Sequence, residues 1–174
     1  MLKLNLGCGK NLKKDCVNID VVQKVPGVVC GNIMSLDYED KTVDEIHLNM
    51  VLEHLDNKDV RPALREWHRV LKVGGKIFIT VPNVIGAVKA YLENRLVTHA
   101  FPNPKFDDKP LEVLFQMIYG RADIFGGNEY MQHRTGFSYK RFERILNECD
   151  FRIVNANDKT DTQQDLTVEA IKEK

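Results

Sequence analysis

Short apolar runs alternate with polar and glycine-rich stretches over the first half of the chain. Residues 2–6 form an apolar run that stops at a glycine loop, which predicts a buried strand. Residues 17–22, 25–30, 43–50 and 76–81 are further short runs rich in β-branched and aliphatic residues, as strands covered on both faces tend to be. Between the last two the period changes: Val60, Leu64, Trp67 and Leu71 recur at helical spacing. Asp56 or Asn57 is placed to cap this helix, Pro62 falls in its first turns, and Gly74-Gly75 is expected to end it. Strand, helix and strand make a βαβ unit, which implies a parallel pair.

Past Pro82 the pattern is different. Residues 84–96 and 111–119 are predicted helices. The stretch 121–136 (RADIFGGNEYMQHRTG) is polar, glycine-rich and aromatic, and reads as a long functional loop. Ser138 caps a last helix whose apolar face is Phe142, Ile145, Leu146 and Cys149. Residues 151–156 and 166–171 close the fold as an antiparallel hairpin around the polar turn 157–165. The fold class that follows is α/β: a Rossmann-like, mostly parallel sheet with a C-terminal antiparallel strand and helices on both faces. A chain of 174 residues is long enough for a single domain, 1–174.

Charge narrows the partners. Lys+Arg is 25 and Asp+Glu is 25, so the formal net charge is zero. That lacks the broad electrostatic footprint of a nucleic-acid binder, and YKRFER at 139–144 reads as the solvated face of a helix. No apolar stretch approaches the roughly 18 residues of a membrane span, and the N-terminal run is too short for a signal peptide. Cys8, Cys16, Cys30 and Cys149 have no metal-ribbon or redox-pair spacing and fit a reducing, cytoplasmic setting. No metal site is expected from sequence.

The chemistry concentrates in LNLGCG at 4–9, a strand followed by Gly-x-Gly, with Asp20 ending the next strand. An open α/β sheet presents a carboxylate there to a ribose. A dinucleotide site would need a third glycine, but that position is Leu12. Residues 10–16 are also too few for the helix that anchors a pyrophosphate, and Asp20 follows Gly9 by 11 positions against about 20. An oxidoreductase is therefore disfavoured. A cofactor without phosphate needs only close backbone approach, which Gly7 and Gly9 permit.

LNLGCG, VNID, GNIMSL, VDEIHLNMVLEHL and ALREWHRVLKVGGKIFITVPN, in that order, resemble a class I S-adenosylmethionine-dependent methyltransferase. More narrowly, they are similar to small, largely uncharacterised members with a short loop after the first strand. The resemblance covers about residues 2–83, resumes at 136–138 and continues to 149–151. It implies S-adenosyl-L-methionine as cofactor, bound by Leu6, Gly7, Cys8, Gly9, Asp20, Val21, Asn32, Ile33, Asn49 and Met50. Within that set, Gly7 and Gly9 match the loop past the methionine and ribose, and Asp20 the ribose-binding acid. Asn32 and the Ile33 backbone match the adenine edge, and Asn49 and Met50 face the methyl group. Asn5 stands where the commoner pattern has an acid.

His133 and His54 are the candidate bases, since imidazole titrates near neutral pH. Glu53, Tyr130 and Arg134 are candidate acceptor-binding residues, and Tyr130 or Phe125 could face the sulfonium. The acceptor site is expected within 84–137, suited to a small molecule such as a sugar or other metabolite. Plainer readings stand beside these. The glycines could make a mere turn, and Asp20 could be a solvated strand end. Asn32 could serve a turn, His54 could pack on the helix start, and Glu53 could face solvent. His133 could be exposed, Cys8 reads as a small spacer, and Trp67 reads as core. The alternative to an enzyme is a non-catalytic binding module on the same fold.

Overall fold

The computed structural model describes residues 1–22, 25–96, 110–121, 129–161 and 164–174. Seven strands form one sheet: β1 (Lys3–Leu6), β2 (Val17–Asp20), β3 (Val28–Cys30), β4 (Val43–Asn49), β5 (Leu71–Pro82), β6 (Phe151–Ala156) and β7 (Asp165–Lys172). Their spatial order is β3-β2-β1-β4-β5-β7-β6. All pairs from β3 to β5 are parallel, and β7 runs antiparallel to both β5 and β6. The expected closing hairpin and the mostly parallel sheet are both present.

The first three connections lack α-helices among the described residues. The stretch 7–16 is too short for one, and Asn18 organises it instead. Its side-chain oxygen accepts from the Lys13 amide at 2.8 Å and the Asn5 amide group at 2.7 Å, while its nitrogen donates to the Lys13 and Cys16 carbonyls. Helix α1 (Val60–Val70) joins β4 to β5, its buried stripe made by Val60, Ala63, Leu64, Trp67 and Val70.

Both expected ends of that helix shift inward. Asp59, not Asp56 or Asn57, is the N-cap, and Asn57 instead accepts from Arg141 at 2.7 Å. At the other end Leu71 is already extended and pairs with Val43. Gly74-Gly75 therefore lies within β5. There the register sets one residue of β4 (Asp44, between Val43 and Glu45) against four of β5 (residues 72–75, between Leu71 and Lys76). Gly74 has φ of 77°, and a Cβ on Gly75 would meet the Lys72 carbonyl at 2.8 Å, so glycine fits this irregularity.

Helices α2 (Val84–Leu92) and α3 (Pro110–Tyr119) pack on each other through Ala87, Ala90, Leu114 and Met117. The first is shorter than predicted, ending before Leu96. Helix α4 (Tyr139–Asn147) starts at Ser138, whose hydroxyl accepts from the Arg141 amide. No helix among the described residues is long and apolar enough to cross a membrane.

Strand register sorts the side chains by face, since they alternate. One face carries the rows Leu4–Ile46–Ile77–Ala170 and Leu6–Leu48–Ile79–Val168. These join Trp67 of α1 and Phe142, Ile145 and Leu146 of α4 in the main core. The opposite face carries Lys3–Glu45–Lys76 and Asn18–Asn5–His47–Phe78–Glu169. The expectation that each strand is apolar on both sides is thus corrected: β1, β4, β5 and β7 are apolar on one side and polar on the other.

Candidate functional site

Loop 7–13 rises from the carboxyl end of β1. Gly7 has φ of 63°, and a Cβ there would meet Val51 at 2.6 Å; Gly9 has φ of 51° with open space around it. Glycine is required at the first position by both conformation and contact. The Gly9 amide donates to one Asp20 oxygen at 2.8 Å, and the Val22 amide to the other at 2.9 Å. The Asp20 carboxylate is thereby held beside the loop with lone pairs remaining on each oxygen.

A cavity of about 400 Å³ opens beneath this loop, lined by Gly7, Cys8, Asn49, His47, Phe78 and Thr80, among others. That volume is within the range of small-ligand sites. Three expected cofactor residues, Gly7, Cys8 and Asn49, border it. Leu6 is fully buried in the apolar core, so its side chain faces away. Burial pushes the Cys8 thiol up, consistent with its spacer reading. Val21 is half exposed. Asn32 accepts from the Met34 amide at 2.9 Å, closing a local turn, and the Ile33 carbonyl accepts from the Trp67 indole at 2.8 Å. Asp20, Asn32 and Ile33 lie at or after the carboxyl ends of β2 and β3, outside that cavity.

The cavity's lower wall was not foreseen. Asn5, Asn11, Lys13, His47, Phe78 and Thr80 line it. His47 stacks flat on Phe78 with ring centroids 4.8 Å apart. The signal available was the every-second-residue polarity of β4 and β5.

Beyond Asn49 the chain turns through Met50, which adopts φ of 56°, and enters a single 3-10 turn, Leu52–His54. This turn carries Glu53 and His54. The segment 132–135 returns to it: the Arg134 and Thr135 amides donate to the Glu53 carbonyl at 2.8 and 3.1 Å. His133 is brought against His54, ring centroids 5.0 Å apart. Each imidazole has its Nδ1 on a backbone carbonyl, His54 on Gln132 at 2.9 Å and His133 on Met117 at 2.8 Å. A carbonyl only accepts, so each Nδ1 carries the proton; His133 is left with a lone pair on Nε2, whereas the His54 ring also faces the Met50 carbonyl.

Burial sets the electrostatics. It draws the His133 imidazole down to about 4 and lowers His54 as well. It pushes the Glu53 carboxyl up to about 8. Glu53 is 1% exposed, so the reading that it faces solvent is wrong. The sequence suggested three separate residues here; the fold makes them one cluster. Tyr130 is exposed on the turn Glu129–Met131, and Arg134 lies 3.6 Å from Asp56. Phe125 lies outside the described residues.

Residues 10–79 match the family described as a methyltransferase domain. An uncharacterised protein of Methanocaldococcus jannaschii is 28% identical over 74% of this chain, which spans 58% of that relative's length. Among solved structures, a Burkholderia thailandensis 1,6-didemethyltoxoflavin-N1-methyltransferase, determined with 1,6-didemethyltoxoflavin and S-adenosylhomocysteine, superposes with a TM-score of 0.62. It is 15% identical, over 99% of this chain and 71% of that one. A Methanosarcina mazei S-adenosylmethionine-dependent methyltransferase gives 0.60 at 19% identity, over 98% and 91%. The matched segment is a methyltransferase domain, and the fold is the one that S-adenosylmethionine-dependent methyltransferases of known structure share.

Proposed function

We propose that this chain transfers a methyl group from S-adenosylmethionine to a small-molecule acceptor, a sugar or other metabolite, held at the sheet's carboxyl edge; of the expected acceptor segment 84–137, residues 97–109 and 122–128 lie outside the described residues. One observation carries the reading. The glycine loop with its oriented Asp20 and the Glu53–His54–His133 cluster stand at the carboxyl ends of strands in one sheet, where open α/β folds bind ligands.

The residues present fit the cofactor. Gly7 and Gly9 let backbone approach the ligand closely, and space is open at Gly9. Asp20 offers free lone pairs to the ribose hydroxyls, and Asn49 borders the cavity. Leu6, Cys8, Val21, Asn32, Ile33 and Met50 contribute mainly through backbone and shape. When bound, the cofactor supplies a methyl on a sulfonium sulfur. The chain then has to align an acceptor and exclude water, an effect worth up to about 7–11 kcal/mol in well-oriented models.

A hydroxyl acceptor must also lose its proton. His133 is placed for that task by geometry: its Nδ1 proton is fixed on Met117 and Nε2 is left to accept, while burial, which draws the imidazole down to about 4, makes it a weaker base than a free histidine. His54 stands beside it, its ring held by the Gln132 and Met50 carbonyls. Tyr130 and Arg134 flank the cluster from the same segment, and a guanidinium there suits an anionic acceptor. Four free cysteines support a cytoplasmic setting, and zero net charge supports an acceptor other than nucleic acid.

The test is transfer of labelled methyl from S-adenosylmethionine into fractions of a metabolite extract. Once an acceptor is found, His133→Ala should lower turnover while S-adenosylhomocysteine affinity stays within about twofold. Wild-type turnover in that variant would remove His133 from the reaction.

A further inference from the structure

We propose that Glu53, His54 and His133 form a binding site for a divalent transition-metal cation. One ligand-type atom from each of the three lies within 4.8 Å of the others. With metal–ligand bonds of about 2.0–2.2 Å, small side-chain rotations bring such atoms onto one ion.

Three features point to a cation rather than to ordinary packing. First, Glu53 is 1% exposed, and neither carboxylate oxygen has a hydrogen-bond partner from any other described residue. His54 Nε2 lies 3.9 Å from Oε1, and the polar group that acts on the carboxyl from the backbone is the residue's own amide. A buried carboxylate left so is costly, and native structures rarely tolerate it without an ion or water. Second, each histidine spends its Nδ1 proton on a backbone carbonyl, Gln132 or Met117. Metal-binding histidines are oriented this way, with the outer N–H fixed; in His133 the inner nitrogen is then free to coordinate, and in His54 it would exchange the Met50 carbonyl for the ion. Third, the backbone builds the cluster twice over. The Arg134 and Thr135 amides fasten the 132–135 segment to the Glu53 carbonyl, and the His133 amide donates to the Tyr119 carbonyl at 3.0 Å.

The donor set chooses the ion class. Two imidazoles and one carboxylate suit Zn²⁺, Mn²⁺, Fe²⁺ or Co²⁺, whereas Mg²⁺ and Ca²⁺ favour oxygen alone. Three protein ligands leave coordination positions open for an exogenous ligand. In the proposed reaction an acceptor oxygen would take one, its proton loosened by the cation's charge, and His133, with Nε2 on the ion, would then serve as a ligand in place of the base. That last step rests on the methyl-transfer reading; the cation site does not.

The experiment uses the chelator-stripped 174-residue chain with neither cofactor nor acceptor present. Titration with ZnCl₂ should show one Zn²⁺ per chain, and CoCl₂ should give visible d–d absorption. Glu53→Gln and His133→Gln should each weaken Zn²⁺ binding by at least about 10- to 100-fold. Cys30→Ser, which removes the exposed thiol, should leave it unchanged. Should a variant fail to fold, imidazole ¹⁵N spectra of the wild type decide the matter. Zn²⁺ should shift Nε2 of His54 and His133 and spare His47 and His68. No binding at millimolar Zn²⁺, full binding in both variants, loss in Cys30→Ser, or shifts confined to other histidines would overturn the proposal. Because S-adenosylhomocysteine binding is measured separately, failure here and failure of the methyl-transfer reading give different results.

Discussion

The two faces of the sheet obey different rules. On one, Leu4, Ile46, Ile77 and Ala170 stand side by side beneath α1 and α4, all fully buried. On the other, the same strands present Lys3 paired with Glu45 at 2.9 Å and Lys76 with Glu169 at 2.8 Å. His47 stacks on Phe78 there, and Thr80 and Thr167 share a hydrogen bond at 3.0 Å. Parallel sheets are usually covered on both faces because their crossovers are helices. Here the connections after β1, β2 and β3 carry no α-helix among the described residues, so that face is held by cross-strand polar pairs. The fold is stabilised by one apolar layer, and the polar layer is free to wall a cavity.

The contrast can be broken most sharply at Trp67. Its ring is fully buried on the covered face and its indole donates to Ile33. Trp67→Ala should cost about 3–5 kcal/mol in urea unfolding. A loss under about 1 kcal/mol would mean that the covered face does not carry the stability.

At the carboxyl edge the expected effect is smaller and depends on pH. Glu53 has its folded value raised to about 8 from an ordinary 4.5. The folded state therefore binds more protons than the unfolded chain between these values, and stability falls as pH rises through that window. His133, lowered to about 4, works in the opposite sense: its contribution is present above its ordinary 6.5 and is lost as pH falls toward 4. In chelator, Glu53→Gln should gain on the wild type by more than about 1 kcal/mol between pH 5 and 8. A pH-independent difference would show that Glu53 does not titrate in that range.

Least should happen on the open face. Lys76→Ala removes an ion pair whose lysine side chain is 49% exposed, and should change stability by no more than about 0.5 kcal/mol. A change of about 2 kcal/mol would mean that this face is covered after all.

The same contrast explains what the sequence disclosed. Strong apolar runs and helical spacing placed β1, β2, β4, α1 and α4 within a few residues, because burial on the covered face imposes a clear period. The ends of α1 were misplaced because Gly74-Gly75 has two uses: it can stop a helix or relieve a strand irregularity, and pairing of Leu71 with Val43 decided for the second. The polar alternation of Lys3–Asn5, Glu45–His47–Asn49 and Lys76–Phe78–Thr80 was legible but masked by the apolar residues between. Gly7, Gly9 and Asp20 could be read from local spacing. The meeting of Glu53 and His54 with His133, 79 positions after His54, could not, since it depends on the 132–135 backbone returning to the Glu53 carbonyl.

The central claim, a cofactor site at the carboxyl ends of β1, β2 and β4, is tested most directly by calorimetry with S-adenosylhomocysteine. Wild-type protein should bind one molecule per chain. Asp20→Ala should weaken binding by about 1.5–3 kcal/mol, the range for hydrogen bonds to a charged group. No binding by the wild type, or an unchanged dissociation constant in Asp20→Ala, would contradict the account.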